Sequence, residues 1–289
     1  MQYHRPTSFN EAAALANQAT GETRFLAGGT DVLVQLRADI VTPDTLIDIK
    51  SIPGVGDISQ APDGSWTIGI AVPGAEMREH IQLGKDWPGL VEAMDLIGST
   101  QVQGRATLVG NLCNGSPAAD SVPAMVAAGV ELSVTGPTGS RRIAAVDVPV
   151  APGRTSLAKG EVVSAVHVPA RGKNAGDAYL RFIPRTEMDI AVVGCAINLT
   201  LDTDGTVTAA RVALGAVAPT VLLVEDAANA LIGSSLDEEA LNRLAEAASA
   251  ACNPISDKRG TVEFRTHVAG VLAKRTAKIA YARAQGENT

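Results

Sequence analysis

Ala27-Gly28-Gly29-Thr30-Asp31, set between the apolar run Arg24–Ala27 and Val32-Leu33-Val34-Gln35-Leu36-Arg37, is the stretch whose reading decides the fold. Glycine lacks a Cβ and reaches positive φ, so such a loop lets backbone N–H groups approach an anion closely. A strand before it and a helix after it add unpaired N–H groups and a positive dipole end at the same point. The run is not GxGxxG, and no acidic residue ends a second strand at the spacing a nicotinamide-dinucleotide fold uses. Read alone, it also fits a tight strand-to-helix turn with an ordinary N-cap. A second run changes the balance: Thr107-Leu108-Val109-Gly110-Asn111 again sets small residues and hydrogen-bonding side chains together. Two such loops in one chain point to a dinucleotide gripped from both sides.

The second run lies in a polar stretch, Gly98–Ser116, read here as one long loop. Long loops inside compact domains are commonly functional. Asp120 follows it, placed either to cap the next helix or to accept hydrogen bonds from ribose hydroxyls.

Outward from these loops the chain divides into three segments, 1–51, 52–171 and 177–289. In the first, Ser8–Gln18 reads as a helix capped by Ser8, Arg24–Ala27 and Thr45–Ile49 as strands. Thr30 or Asp31 is expected to cap a helix whose Val32, Leu33, Leu36 and Ile40 share an apolar face. In the second, Trp66–Val72, Val130–Thr135 and Glu161–Val168 read as strands, with a hairpin turn at Pro137-Thr138-Gly139. Ala75–Leu83, Pro88–Ile97 and Val122–Ala128 read as helices, with Pro88 in a first turn. In the third, strands Ala178–Ile183, Ile190–Leu201 and Thr206–Ala216, with a turn at Asp202–Gly205, precede helices Leu222–Leu231, Glu238–Ala251 and Thr261–Ala284. Strands followed by helices make an α+β domain rather than a doubly wound one.

The composition narrows the function. Net charge is −7, aromatics are 3% of 289 residues, and no cluster of five basic residues occurs, so a nucleic-acid groove is not expected. The N-terminus lacks the basic and apolar regions of a secretory signal, and the apolar runs fall short of a membrane span, so a cytoplasmic location is expected. Cys113, Cys195 and Cys252 lack metal-ligand spacing, so no metal site is expected in this chain. His4, His80, His167 and His267 show no catalytic context, and Arg181, Arg185 and Glu187 read as strand charges. No catalytic residue is assigned; the chemistry is expected to reside in a cofactor that the protein positions.

AGGTD at 27–31 with VLVQLR after it resembles the AGG(T/H)(D/S) loop of the FAD-binding medium subunits of molybdenum hydroxylases. IGSTQVQGRATLVGNLCNGSPAADSVP at 97–123 resembles that family's TIGGN…SPxxD region. AYLRFIPRTEMDIAV at 178–192 is similar to the opening of its C-terminal domain. The family includes the flavoprotein subunits of carbon monoxide and nicotine dehydrogenases and the FAD domain of xanthine dehydrogenase.

The resemblance implies a vanillyl-alcohol-oxidase (PCMH-type) FAD-binding fold. Two α+β subdomains, 1–51 and 52–171, would sandwich FAD, and a C-terminal domain, 177–289, would carry a three-stranded antiparallel sheet and helices. It further implies that Ala27, Gly28, Gly29, Thr30 and Asp31 wrap the pyrophosphate, so that a side chain at Gly28 would obstruct FAD. Thr107, Gly110, Asn111 and Asp120 match second-loop FAD contacts; Val163 and Arg181 match positions near the flavin and the third-domain entrance. An iron–sulfur small subunit with [2Fe-2S] clusters and a large subunit with the molybdenum cofactor would be the partners, in a dimer of heterotrimers. Quinone, NAD or oxygen would be the acceptor. Val109 departs from the family, which usually has a second glycine there, and Thr30-Asp31 departs from the His-Ser of some carbon monoxide dehydrogenases. A self-contained flavin oxidoreductase of the same fold and a flavin-free scaffold subunit are the alternative readings.

Overall fold

A computed structural model describes residues 1–185 and 188–287. Glu187 lies outside the described residues.

The first segment is a three-stranded parallel sheet. β1 (Gln2–His4), β2 (Thr23–Leu26) and β3 (Thr45–Asp48) pair in the order β1-β3-β2. α1 (Phe9–Gln18) begins where the Ser8 side chain accepts from the Glu11 N–H, and it buries Ala12, Ala13 and Ala16. The glycine loop leaves β2 and enters α2 (Val32–Arg37). Asp31 occupies the N-cap position of α2, but its side chain makes no capping bond. None of the residues of α2 is buried, and Ile40 lies beyond its end at 70% exposure. The apolar face read from the sequence therefore exists as a pattern but has no core to face.

The second segment forms a five-stranded antiparallel sheet. Its strands are β4 (Ile58–Gln60), β5 (Trp66–Ile68), β6 (Glu131–Gly136), β7 (Gly139–Ala144) and, after the small ribbon of β8 (Pro149–Ala151) and β9 (Arg154–Thr155), β10 (Val162–Val168). The order is β4-β5-β10-β6-β7. The expected hairpin closes through Gly136 opposite Gly139. β5 is shorter than the alternating run: at Gly69 the chain leaves the ladder and bonds the Asp57 carbonyl instead.

Between β5 and β6 run α3 (Gly74–Glu79), α4 (Ile81–Asp86), α5 (Pro88–Asp95), α6 (Thr100–Gln103), α7 (Leu108–Cys113) and α8 (Ser121–Ala127). Two expectations are corrected here. The single helix Ala75–Leu83 is broken at His80, whose extended backbone ends α3 and whose Nδ1 accepts the Leu83 N–H to start α4. The long loop Gly98–Ser116 contains α6 and α7. Thr107 caps α7 by accepting the Gly110 N–H, and Leu108, Val109 and Leu112 bury one side of that turn. The many amides and hydroxyls masked a helical apolar spacing.

The third segment pairs β11 (Ala175–Phe182), β12 (Val193–Leu201), β13 (Val207–Gly215) and β14 (Leu222–Leu223) in sequence order, all antiparallel. The two-residue β14 adds a fourth strand to the three expected. α9 (Glu225–Leu231), α10 (Glu238–Ala250) and α11 (Val262–Ala284) follow. α11 lies on β11 and β12 and α9 on β13, with α10 packed against both helices; alanines at 269, 273, 277 and 280 let α11 lie close on β11 and β12.

The first two segments share one apolar core, in which Ala12 and Ile47 join Trp66, Met94 and Leu132; the third has its own, around Ile197, Leu214 and Leu244. α8 lies at the seam: all of its residues are buried, and it packs on α5 and α7 on one side and on β11, β12 and β13 on the other. Among the described residues, no helix is long and apolar enough to cross a membrane.

Candidate functional site

Where the first two segments meet they leave a cavity of about 420 Å³, within the usual range for a small-molecule site. Ala27, Gly28, Gly29, Thr30 and Asp31 form one wall, with Val32 and Gln35 of α2 continuing it. Thr107, Val109, Gly110 and Asn111 form a second wall. Lys159, Gly160, Glu161, Val162 and Val163, leading into β10, close the far side. The two sequence-distant loops thus face one space, as expected of a grip from both sides.

The first loop has a definite set of hydrogen bonds. Its carbonyls are engaged outside the cavity: Lys50 Nζ donates to Ala27 O at 3.2 Å, Arg105 Nε to Gly28 O at 2.9 Å, and the Leu33 N–H to Gly29 O at 3.2 Å. Among the described residues the N–H groups of Gly28, Gly29, Thr30 and Asp31 take no hydrogen-bond partner. Gly29 has φ +78°, which a residue with a Cβ rarely adopts. Successive free N–H groups around a positive-φ glycine form a concave anion site. Gly28 is glycine for a second reason: a Cβ there would lie 1.8 Å from the Arg105 carbonyl oxygen. The sequence reading expected a ligand to exclude that side chain; the backbone of the opposite loop excludes it.

The second wall is held by side chains. Asn111 Oδ1 accepts from the N–H and hydroxyl of Ser121 at 3.2 and 2.7 Å, tying α7 to α8. Gln35 Nε2 donates to Asn114 Oδ1 at 3.2 Å, joining α2 to the end of α7. Val109, where the resemblance leads one to expect glycine, sits in the helical turn of α7, 8% exposed, and needs no positive φ. Cys113 also lines the cavity; burial pushes its thiol up to about 12, so it stays protonated and inert at neutral pH.

Two polar atoms at the cavity are orphaned. Thr23 Oγ1 and Arg24 Nε, both on β2 and both lining the cavity, are buried without a partner. A buried donor without an acceptor is costly, so these atoms fit a ligand with acceptor oxygens and nitrogens. The sequence reading missed both, because nothing in Thr23-Arg24 distinguishes a strand residue aimed at a cavity from one aimed at solvent.

Asp120 and Arg181 stand apart from the cavity wall. Arg181 Nη1 meets Asp120 Oδ2 at 2.6 Å, and the Tyr179 hydroxyl donates to Asp120 Oδ1 at 2.8 Å. All three are buried, joining the start of α8 to β11. Burial raises the Asp120 carboxyl to about 6, against the opposing pull of Arg181 and Tyr179. Asp120 occupies the N-cap position of α8, yet its side chain makes no cap bond; the ion pair takes it. Among the described residues no group of three His, Cys, Asp or Glu side chains is placed to hold a metal.

Residues 1–171 match the family described as FAD binding domain in molybdopterin dehydrogenase, and residues 178–280 match the CO dehydrogenase flavoprotein C-terminal domain. The chain is 33% identical to the carbon monoxide dehydrogenase medium chain of Afipia carboxidovorans, over 98% of this chain and 97% of that one. It is 31% identical to the xanthine dehydrogenase FAD-binding subunit of Escherichia coli O157:H7, over 99% and 97%. A chain of the carbon monoxide dehydrogenase of Hydrogenophaga pseudoflava superposes with TM-score 0.93 at 34% identity, covering 98% of both chains.

Proposed function

The chain belongs to the family of FAD-binding domains of molybdopterin dehydrogenases, and on that premise we propose that it is the FAD-binding medium subunit of a heteromeric molybdenum hydroxylase, passing electrons from an iron–sulfur subunit to an external acceptor. The observation that carries this reading is the pair of loops around one cavity, with four free N–H groups on one side. Bound FAD would supply the electron chemistry, accepting electrons from one partner and delivering them to another.

The residues of this chain bind and orient. Ala27 to Asp31 would hold the pyrophosphate by backbone N–H groups, whose alignment costs no reorganisation when the anion arrives. Thr107, Gly110 and Asn111 would close on it from α7. Thr23 and Arg24 would satisfy their orphaned atoms on the ligand, and Val163 would pack against it from β10. Asp120 and Arg181 would act one step away: their pair seats α8, and Ser121 of α8 holds Asn111. We assign the partners as an iron–sulfur small subunit and a molybdopterin large subunit, in a dimer of heterotrimers, and the location as cytoplasmic. Asp31, Lys159 and Glu161 line the cavity, but among the described residues no hydrogen bond joins any two of them, and Glu161 is held by Arg141, which favours an electron-transfer subunit over a self-contained oxidase.

The test is the visible spectrum of the purified chain and the mass of any chromophore released on denaturation. Flavin absorption with FAD released, and co-purification with two other subunit types, is the expected result. A colourless chain that takes up no added FAD would sink the reading and leave the flavin-free scaffold.

A further inference from the structure

We infer that Arg105 and Lys50, neither of which lines the cavity, are positioning residues that set the direction of the anion-binding N–H groups by holding the carbonyls of Gly28 and Ala27; this rests on the FAD reading above. In a trans peptide the C=O of one residue and the N–H of the next point in opposite directions. No cis peptide occurs among the described residues. Lys50 Nζ therefore turns the Gly28 N–H away from itself by binding Ala27 O, and Arg105 Nε does the same to the Gly29 N–H through Gly28 O. Both cations lie outside the cavity that Ala27, Gly28 and Gly29 line, so the N–H groups are directed into it.

The peptide between two glycines needs such a restraint. With no Cβ on either side, its plane rotates at little cost, and a flipped plane would present a carbonyl to the pyrophosphate. Arg105 restrains it twice: by the hydrogen bond at 2.9 Å, and by its own carbonyl oxygen, which fills the space a Cβ on Gly28 would take. The Lys50 ammonium is in turn fixed by Asp48 Oδ1 at 2.6 Å, and Asp48 Oδ2 accepts the Tyr3 hydroxyl at 2.6 Å. The orienting pair thus reaches back to β1 and β3 on one side and forward to the turn before α7 on the other.

The experiment uses the full chain, stripped of flavin and titrated with FAD, with the melting temperature of the apoprotein measured in parallel. Arg105 is exposed, so its substitution leaves folding intact. Arg105→Ala is expected to weaken FAD binding about ten- to a hundredfold, the range for loss of a hydrogen bond to a charged group, with the apoprotein melting point unchanged. Arg105→Lys and Arg105→Gln, which keep a donor, are expected to recover most of the affinity, and Lys50→Met to lose it as Arg105→Ala does. Unchanged FAD affinity in Arg105→Ala overturns the proposal. So does an Arg105→Gln variant as weak as Arg105→Ala whose deficit vanishes at high salt, because Arg105 would then act only as a remote charge. Failure of the unaltered chain to bind FAD overturns the flavin reading itself, and the positioning role with it.

Discussion

At the residue scale, Gly28 and Val109 show how a motif letter and its physical reason come apart. Gly28 is recognisable as part of an anion loop, but the atom it makes room for is the Arg105 carbonyl oxygen. Gly28→Val is therefore expected to push the two loops apart, destabilising the fold by about 1–3 kcal/mol as overpacked sites do, and to reduce FAD retention by separation of the walls. A variant with unaltered melting temperature and flavin content would show that the contact is dispensable. Val109 departs from the family pattern where a glycine is usual, yet its backbone is helical and its side chain is buried. Restoring glycine, Val109→Gly, is expected to lose roughly 2–3 kcal/mol, from lost burial and from glycine in a helix. A urea-unfolding midpoint equal to or above that of the unaltered chain would contradict this.

At the element scale, turns were legible, caps only in part, and burial was not. Ser8 accepts the expected N–H at the start of α1, and Asp237 and Thr261 do the same for α10 and α11, but Asp31 and Asp120, also expected as caps, make no cap bond. α2 has the apolar spacing of a core helix, but none of its residues is fully buried. α7 failed in the opposite direction: its polar setting hid a buried turn. Thr107→Ala is expected to cost about 1 kcal/mol through loss of the α7 cap. It also frees the Gly110 N–H beside the cavity, so FAD affinity should fall less than stability would predict. An affinity loss much larger than the loss of stability would mean that the Thr107 hydroxyl contacts FAD directly.

At the scale of the whole molecule, the seam between the two cores carries buried ion pairs within its apolar packing. Besides the Asp120 pair, Asp177 of β11 accepts from Arg171 at 2.6 Å and from the Leu90 N–H of α5 at 3.2 Å. Arg283 of α11 binds both the Asp177 carbonyl and Glu92, and the Arg171 guanidinium lies 4.3 Å from the centre of the Trp87 ring. Burial raises the Asp177 carboxyl to about 6 despite Arg171 and Arg283, as it does Asp120, so desolvation outweighs pairing at both places. The ordinary value is 3.8, so between pH 4 and 6 the folded chain binds more protons at these carboxyls than the unfolded chain. Their contribution is fully present below that ordinary value and is lost as pH rises through about 6. Acidification from pH 7 to 5 is thus expected to strengthen the seam through these two groups. Melting curves of Asp177→Asn across this range should show a shallower pH dependence than the unaltered chain, and an identical slope would remove Asp177 as a source.

The sequence by itself determined what neighbours along the chain decide: the glycine turn after β2, the Ser8 cap of α1, the hairpins at 137–139 and 202–205, and the change from strands to helices in the third segment. These follow from backbone conformation and hydrogen bonds a few residues long. Only the tertiary structure decided which N–H groups stay unpaired, which carbonyls Lys50 and Arg105 hold, that Thr23 and Arg24 are orphaned at the cavity, and that Asp120 turns to Arg181 instead of capping α8. Each of these joins residues between 23 and 77 positions apart, or depends on what one face of an element meets. Whether a polar atom finds a partner or a void is a property of the packed space, which no local pattern contains.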